Sequence, residues 1–173
     1  MKKIISLLAA LILVIIPVSC AQTQQGQVLP QTGRPFSAEL DISFNDFSAE
    51  AELTFRNSAS ATLEITDPDS LEGLIFTLQG EELTAKYQGL DFPLEDTNGQ
   101  AVSAARLIFS AIANASTSKD AKINSSANEF TVSGNVLNYD YQMNFNKTTG
   151  AIKEFSVPSQ KLTVKFTDFE FLG

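Results

Sequence analysis

The chain has no histidine and no tryptophan, and a single cysteine among 173 residues. Without histidine there is no imidazole general base, no Ser-His-Asp triad and no His-containing zinc or copper site. One cysteine cannot close an intramolecular disulfide, so the core must stabilise the fold. Basic residues are also scarce, 12 Lys+Arg against 20 Asp+Glu, a formal charge of −8. Such a chain repels phosphate backbones and anionic lipid surfaces. No nucleic-acid partner and no cofactor is expected.

The one cysteine, Cys20, has an informative position. Lys2 and Lys3 precede an apolar run from Ile4 to Val18 in which only Ser6 is polar, and the run ends in Pro17-Val18-Ser19-Cys20-Ala21. A basic start, an apolar stretch and small residues at a cut make a secretory signal peptide over residues 1–19. A cysteine directly after the cut resembles a bacterial lipobox, where the thiol takes a diacylglyceryl group. Pro17 stands where that motif usually has Leu. The leading reading is lipidation at Cys20 and anchoring at the extracytoplasmic face of the cell membrane. Two others stay open: cutting after Ala21 would release a soluble protein, and an uncut segment would be short for a bilayer that needs roughly 20 apolar residues.

Residues 20–35 continue as a Gln-rich tether broken by Pro30, Gly33 and Pro35. Its polar stretch reaches at most about 50 Å when extended. From Phe36 the period becomes two. Phe36, Ala38, Leu40, Ile42 and Phe44 alternate with polar residues, and after Asn45-Asp46 so do Phe47, Ala49, Ala51, Leu53 and Phe55. That is an antiparallel hairpin. Ala61, Leu63 and Ile65 form a third strand; Asp67–Gly73 reads as a single helical turn. Further strands are expected at 74–78, 82–87, 90–94, 121–125, 129–133, 138–146, 151–158 and 161–172, separated by Gly80, Gly89 and a 146–150 turn. A bulge at Thr167–Asp168 would bring Phe169 and Phe171 onto the face of Leu162, Val164 and Phe166. Only Ala101–Ala115 has a helical period, with Asn98 and Gly99 as candidate caps.

About 10–11 antiparallel strands at ~4.8 Å spacing are far wider than one helix can cover. The expected fold is therefore mainly β, a strongly curved antiparallel half-barrel over residues 36–173 wrapped around one main helix. Phenylalanine is abundant, 13 residues, all beyond residue 35. A Phe-rich concave face over an Ala-rich helix encloses apolar space that is either filled or open.

The lipidated cysteine and tether, the first hairpin, the Leu63-Glu64-Ile65-Thr66-Asp67-Pro68 strand end and the Leu71-Glu72-Gly73-Leu74 and Tyr87-Gln88-Gly89-Leu90 turns resemble the outer-membrane lipoprotein carrier (LolA-like) superfamily. The similarity is strongest to its Gram-positive surface lipoproteins, including clostridial germination lipoproteins, and covers residues 36–172. It implies a half-open barrel with a helical lid, and acyl-chain or lipid binding in the concave face; members of this branch can instead be structural or bind an envelope protein. The chain departs from the family in having no long helix before its first strand.

Leu40, Leu53, Phe55, Leu63, Phe76, Ile108, Phe145 and Val164 are the candidate ligand-binding residues; each is also a core candidate. Two other motifs weigh little. Ser116-Thr117-Ser118-Lys119 matches S-x-x-K but has no companion motif. Asp67, Asp69 and Glu72 carry calcium-type oxygens without EF-hand spacing. The sequons at Asn114, Asn124 and Asn146 are expected to stay unmodified. The expected function is non-enzymatic binding of a hydrophobic ligand or acyl chain, the alternative a partner-binding accessory lipoprotein with a filled core.

Overall fold

The computed structural model describes residues 33–94, 99–117 and 122–173. The signal peptide, Cys20, most of the tether, Asn98, and Ser118 and Lys119 of the S-x-x-K motif lie outside the described residues. Eleven strands form one antiparallel sheet: β1 (Phe36–Phe44), β2 (Phe47–Asn57), β3 (Ser60–Asp67), β4 (Ile75–Gln79), β5 (Glu82–Tyr87), β6 (Leu90–Pro93), β7 (Lys122–Ser125), β8 (Glu129–Val136), β9 (Tyr139–Asn146), β10 (Ile152–Val157) and β11 (Leu162–Phe171). Among the described residues there is a single α-helix, α1 (Gln100–Thr117), placed between β6 and β7 in the chain.

The sheet order is β6-β5-β4-β3-β2-β1-β11-β10-β9-β8-β7. Two meanders, one from each half of the chain, meet where β1 pairs with β11. The chain therefore leaves the sheet at one edge strand, passes through α1, and re-enters at the other edge. The sheet does not close into a barrel, and α1 packs against β8 and touches β1, β2 and β4. A helix that reaches both meanders must lie in the concave side.

Alternation decides which face is dry. In β1, Phe36, Ala38, Leu40, Ile42 and Phe44 are buried, and Ala49, Ala51, Leu53 and Phe55 of β2 continue that face. A one-residue slip would turn every one of these outward, so the register is strongly specified. The turns have their own chemistry. Asn45 takes φ 54° in the β1–β2 turn, a left-handed conformation that Asn tolerates. Asn146 Oδ1 accepts from the N–H groups of Thr148 and Thr149, at 2.9 and 3.1 Å, and starts the β9–β10 turn.

The expected bulge is present. Between the pairs Ser37↔Glu170 and Glu39↔Thr167 the last strand carries one extra residue, and Asp168 sits at φ 44°. Phe169 and Phe171 both pack on the core as a result, and the Phe169 ring stacks on Phe36 at 4.6 Å. The single helical turn expected within residues 67–73 is present: Pro68 O accepts from Leu71 N and Glu72 N. Gly73 N donates back to Ile65 O and extends the β3–β4 pairing. The helix is longer than its apolar period suggests because Gly99 O accepts from Ser103 N at one end and Ser116 Oγ bonds Ile112 O at the other. Ser116 thus belongs to the helix, beyond the Ala101–Ala115 period. β8 also runs on to Val136, three residues past its expected end, and its last turn pairs Gly134 with Tyr141.

Candidate functional site

The helix decides where the concave side is filled and where it is open. Ala104, Ala105, Ile108, Ala111 and Ile112 are fully buried on the sheet, and the small residues let the helix axis approach closely. At i, i+3, i+4 and i+7, Arg106, Phe109, Ser110 and Ala113 form a second stripe. This stripe is the floor of a cleft of about 670 Å³. One lip is the β4–β5 hairpin, with Leu78, Gly80, Glu81, Glu82 and Leu83, joined by Ser58 of the β2–β3 turn. Gly80 N donates to Ala59 O at 2.7 Å and ties these two turns together. Leu137, at the tip of the β8–β9 hairpin, forms the opposite lip, and Leu94 closes the floor beside Arg106. The cleft therefore spans the gap between the two meanders.

Its walls are mostly apolar: Leu78 and Leu83 are half-buried, Phe109 and Leu94 buried. Leu137 stands out. It has φ 50°, followed by Asn138 at φ 68°, in a two-residue hairpin loop that ordinarily takes Asn-Gly. A bulky residue in the left-handed region is strained. Leu137 is also 49% exposed. Two unfavourable features, backbone strain and an exposed leucine, thus coincide at the cleft mouth.

Among the described residues Arg106 is the one cation in the lining. It is half-buried, and its Nη2 donates to Leu94 O at 2.6 Å. Among the described residues no carboxylate lies within ion-pair distance of it; the one ion pair present, Lys153 with Glu129, is elsewhere. Tyr141 pins the far end of the helix: buried beneath Gly134, it donates its hydroxyl to Asn114 Oδ1 at 3.0 Å. A Cβ at Gly134 would lie 2.7 Å from the Tyr141 ring, so only glycine fits there. Burial pushes the Tyr141 phenol up to about 12.

The structure brings together the eight candidate residues from the sequence. Leu40, Leu53, Phe55, Leu63, Phe76, Ile108, Phe145 and Val164 all belong to one core cluster, each at most 1% exposed. None of them lines the cleft, which shares Phe109 and Leu94 with their cluster and has Leu78 and Leu83 packed against it. The lining that sequence reasoning missed comes from two turns, one hairpin tip, a mixed helix stripe and Leu94 after β6, so no single segment carries its pattern. The readable signals were Leu137 in front of Asn138 and the 106/109/110/113 stripe. Asp67, Asp69 and Glu72 are exposed, and among the described residues no group of three acidic, Cys or His side chains could hold a metal ion. No described helix is long and apolar enough to cross a membrane.

Among the described residues the chain is an open antiparallel sheet curled around one helix, a mainly β half-barrel. An uncharacterized conserved protein of Thermus thermophilus superimposes with a TM-score of 0.53 at 12% identity, over 84% of this chain and 83% of that one. The LolA superfamily protein NE2245 of Nitrosomonas europaea gives 0.41 at 13%, over 83% and 88%. A chain of the complex between the CwlD amidase and the GerS lipoprotein of Clostridioides difficile gives 0.46 at 17%, over 79% and 84%. At these identities the likeness concerns the fold alone. No family model and no curated protein matches the sequence.

Proposed function

We propose that this chain is an extracytoplasmic lipoprotein, anchored through Cys20, that binds a hydrophobic ligand or acyl chain without catalysis. The observation that carries the reading is the cleft: about 670 Å³, walled by leucines and a phenylalanine, at the place where helix and sheet part. That volume is within the range of small-molecule sites. The proposed binding residues are accordingly those of the cleft, backed by the eight core residues. Strain at Leu137 fits the same role, since an apolar ligand would cover its exposed side chain.

The filled concave centre supports a second reading, that of a partner-binding envelope lipoprotein whose cleft lips meet another protein. Titration of cis-parinaric acid into the purified protein separates the two. Saturable binding at low micromolar concentration, lost in Ala113→Phe, supports ligand binding. No uptake by a cooperatively melting protein removes it in favour of the partner. The anchor has its own test: Cys20→Ala should shift the protein from membrane to soluble fraction or leave an uncut precursor. Processing and membrane association like the parent's would refute it.

A further inference from the structure

We infer that the cleft selects single-chain amphiphiles with an anionic head group, and that Arg106 is the residue that selects them; the inference rests on the ligand-binding reading of the same cleft. The protein is strongly acidic, 20 Asp+Glu against 12 Lys+Arg, so its overall field disfavours anions. With so many carboxylates available, a half-buried arginine would ordinarily be paired. Among the described residues Arg106 has no such pair: its partner is the Leu94 carbonyl, which fixes one nitrogen and leaves the rest of the guanidinium fork unused. Guanidinium presents up to five donors in a plane, matched to carboxylate or phosphate oxygens.

The setting orients the ligand. Arg106 is on the helix floor, between buried Leu94 and Phe109, where a charge interaction is screened less than at the surface. Glu81 and Glu82 are exposed on the opposite hairpin lip. They repel an anionic head from that side and leave the helix side to it. Ala113 lies seven residues further along α1, roughly 10 Å away, so the apolar tail can run from Arg106 past Phe109 towards Ala113 and Leu137. Carboxylate and phosphate share this chemistry.

The test uses competition against Nile red, a neutral probe, with dodecanoate, dodecyl phosphate, dodecanol and dodecylamine on the purified protein. The wild type should bind the two anions about tenfold more tightly than dodecanol, as one charge-assisted hydrogen-bonded contact gives. The better of the two anions identifies a carboxylate or a phosphate source. In Arg106→Gln the ratio of anion to dodecanol affinity should fall to about onefold, and Arg106→Lys should keep part of it. Should Arg106→Gln fail to melt cooperatively, the salt dependence of the wild-type anion preference gives the same reading, weakening for the anions only. Equal binding of dodecanoate and dodecanol by the wild type, better binding of dodecylamine, or a preference that survives Arg106→Gln overturns the inference and leaves the ligand-binding reading intact. Absence of binding for all four compounds overturns both.

Discussion

The centre of the sheet and its rim are built on opposite terms. At the centre, β1, β2, β3, β10 and β11 present a continuous dry face on which α1 sits through alanines, and every large side chain has packed neighbours. At the rim, between the β4–β5 and β8–β9 hairpins, the helix turns a mixed stripe towards a cleft, and Leu137 is held exposed in a left-handed turn. The centre shows where the fold gets its stability. The rim shows where stability is forgone, which is the pattern expected of a binding site.

The sharpest way to break this comparison is to charge the centre. Leu53→Asp places an unpaired carboxylate where the side chain is 1% exposed, and the domain should lose its cooperative melt. Helix substitutions sharpen it further. Ala105→Phe overpacks a fully buried site and should cost about 1–3 kcal/mol or more. Ala113→Phe enters the cleft and should leave the melting temperature within a few degrees while abolishing ligand uptake. Equal thermal destabilisation by the two would mean that the cleft is part of the core.

These paired outcomes also mark what the sequence made legible. Strict alternation in residues 36–57 fixed a hairpin, its register and its buried face, because a period of two admits one solution when one side must be dry. The bulge at Thr167–Asp168 was legible for the same reason: Phe169 and Phe171 would otherwise face water. The cleft was not. Its residues are drawn from five separate segments, and Phe109 is shared between core and cleft. The pairing of β1 with β11 was equally hidden, since it joins strands from opposite ends of the domain.

Smaller effects come from titration. The Tyr141 phenol is favoured neutral in the fold, its value raised from 10.0 to about 12. Its contribution is complete below pH 10 and is lost as pH rises towards 12. Alkaline melts should lose stability in that window, and Tyr141→Phe should remove that part of the loss. The smallest effect is on the wet face. There Glu39 is opposite Glu52 and beside Asp168, with Asp41 opposite Glu50. Repulsion, from Asp168 first and then also from Glu52 and Glu50, together with some burial, holds the Glu39 carboxyl above its usual value. A raised carboxylate favours the fold below its unfolded value and loses that contribution as pH rises through its folded value. Glu39→Gln should therefore slightly raise the melting temperature at about pH 7 and leave it unchanged at acidic pH. A fall at neutral pH would contradict the repulsion.

The most direct test of a filled centre beside an open rim is a co-crystal structure of the purified protein with dodecanoate. The account predicts electron density for the chain between Phe109, Ala113 and Leu137, with Leu40, Leu53, Phe55 and Ile108 unmoved. Density beneath the helix among those core residues, or none in the cleft at saturating ligand, would contradict it.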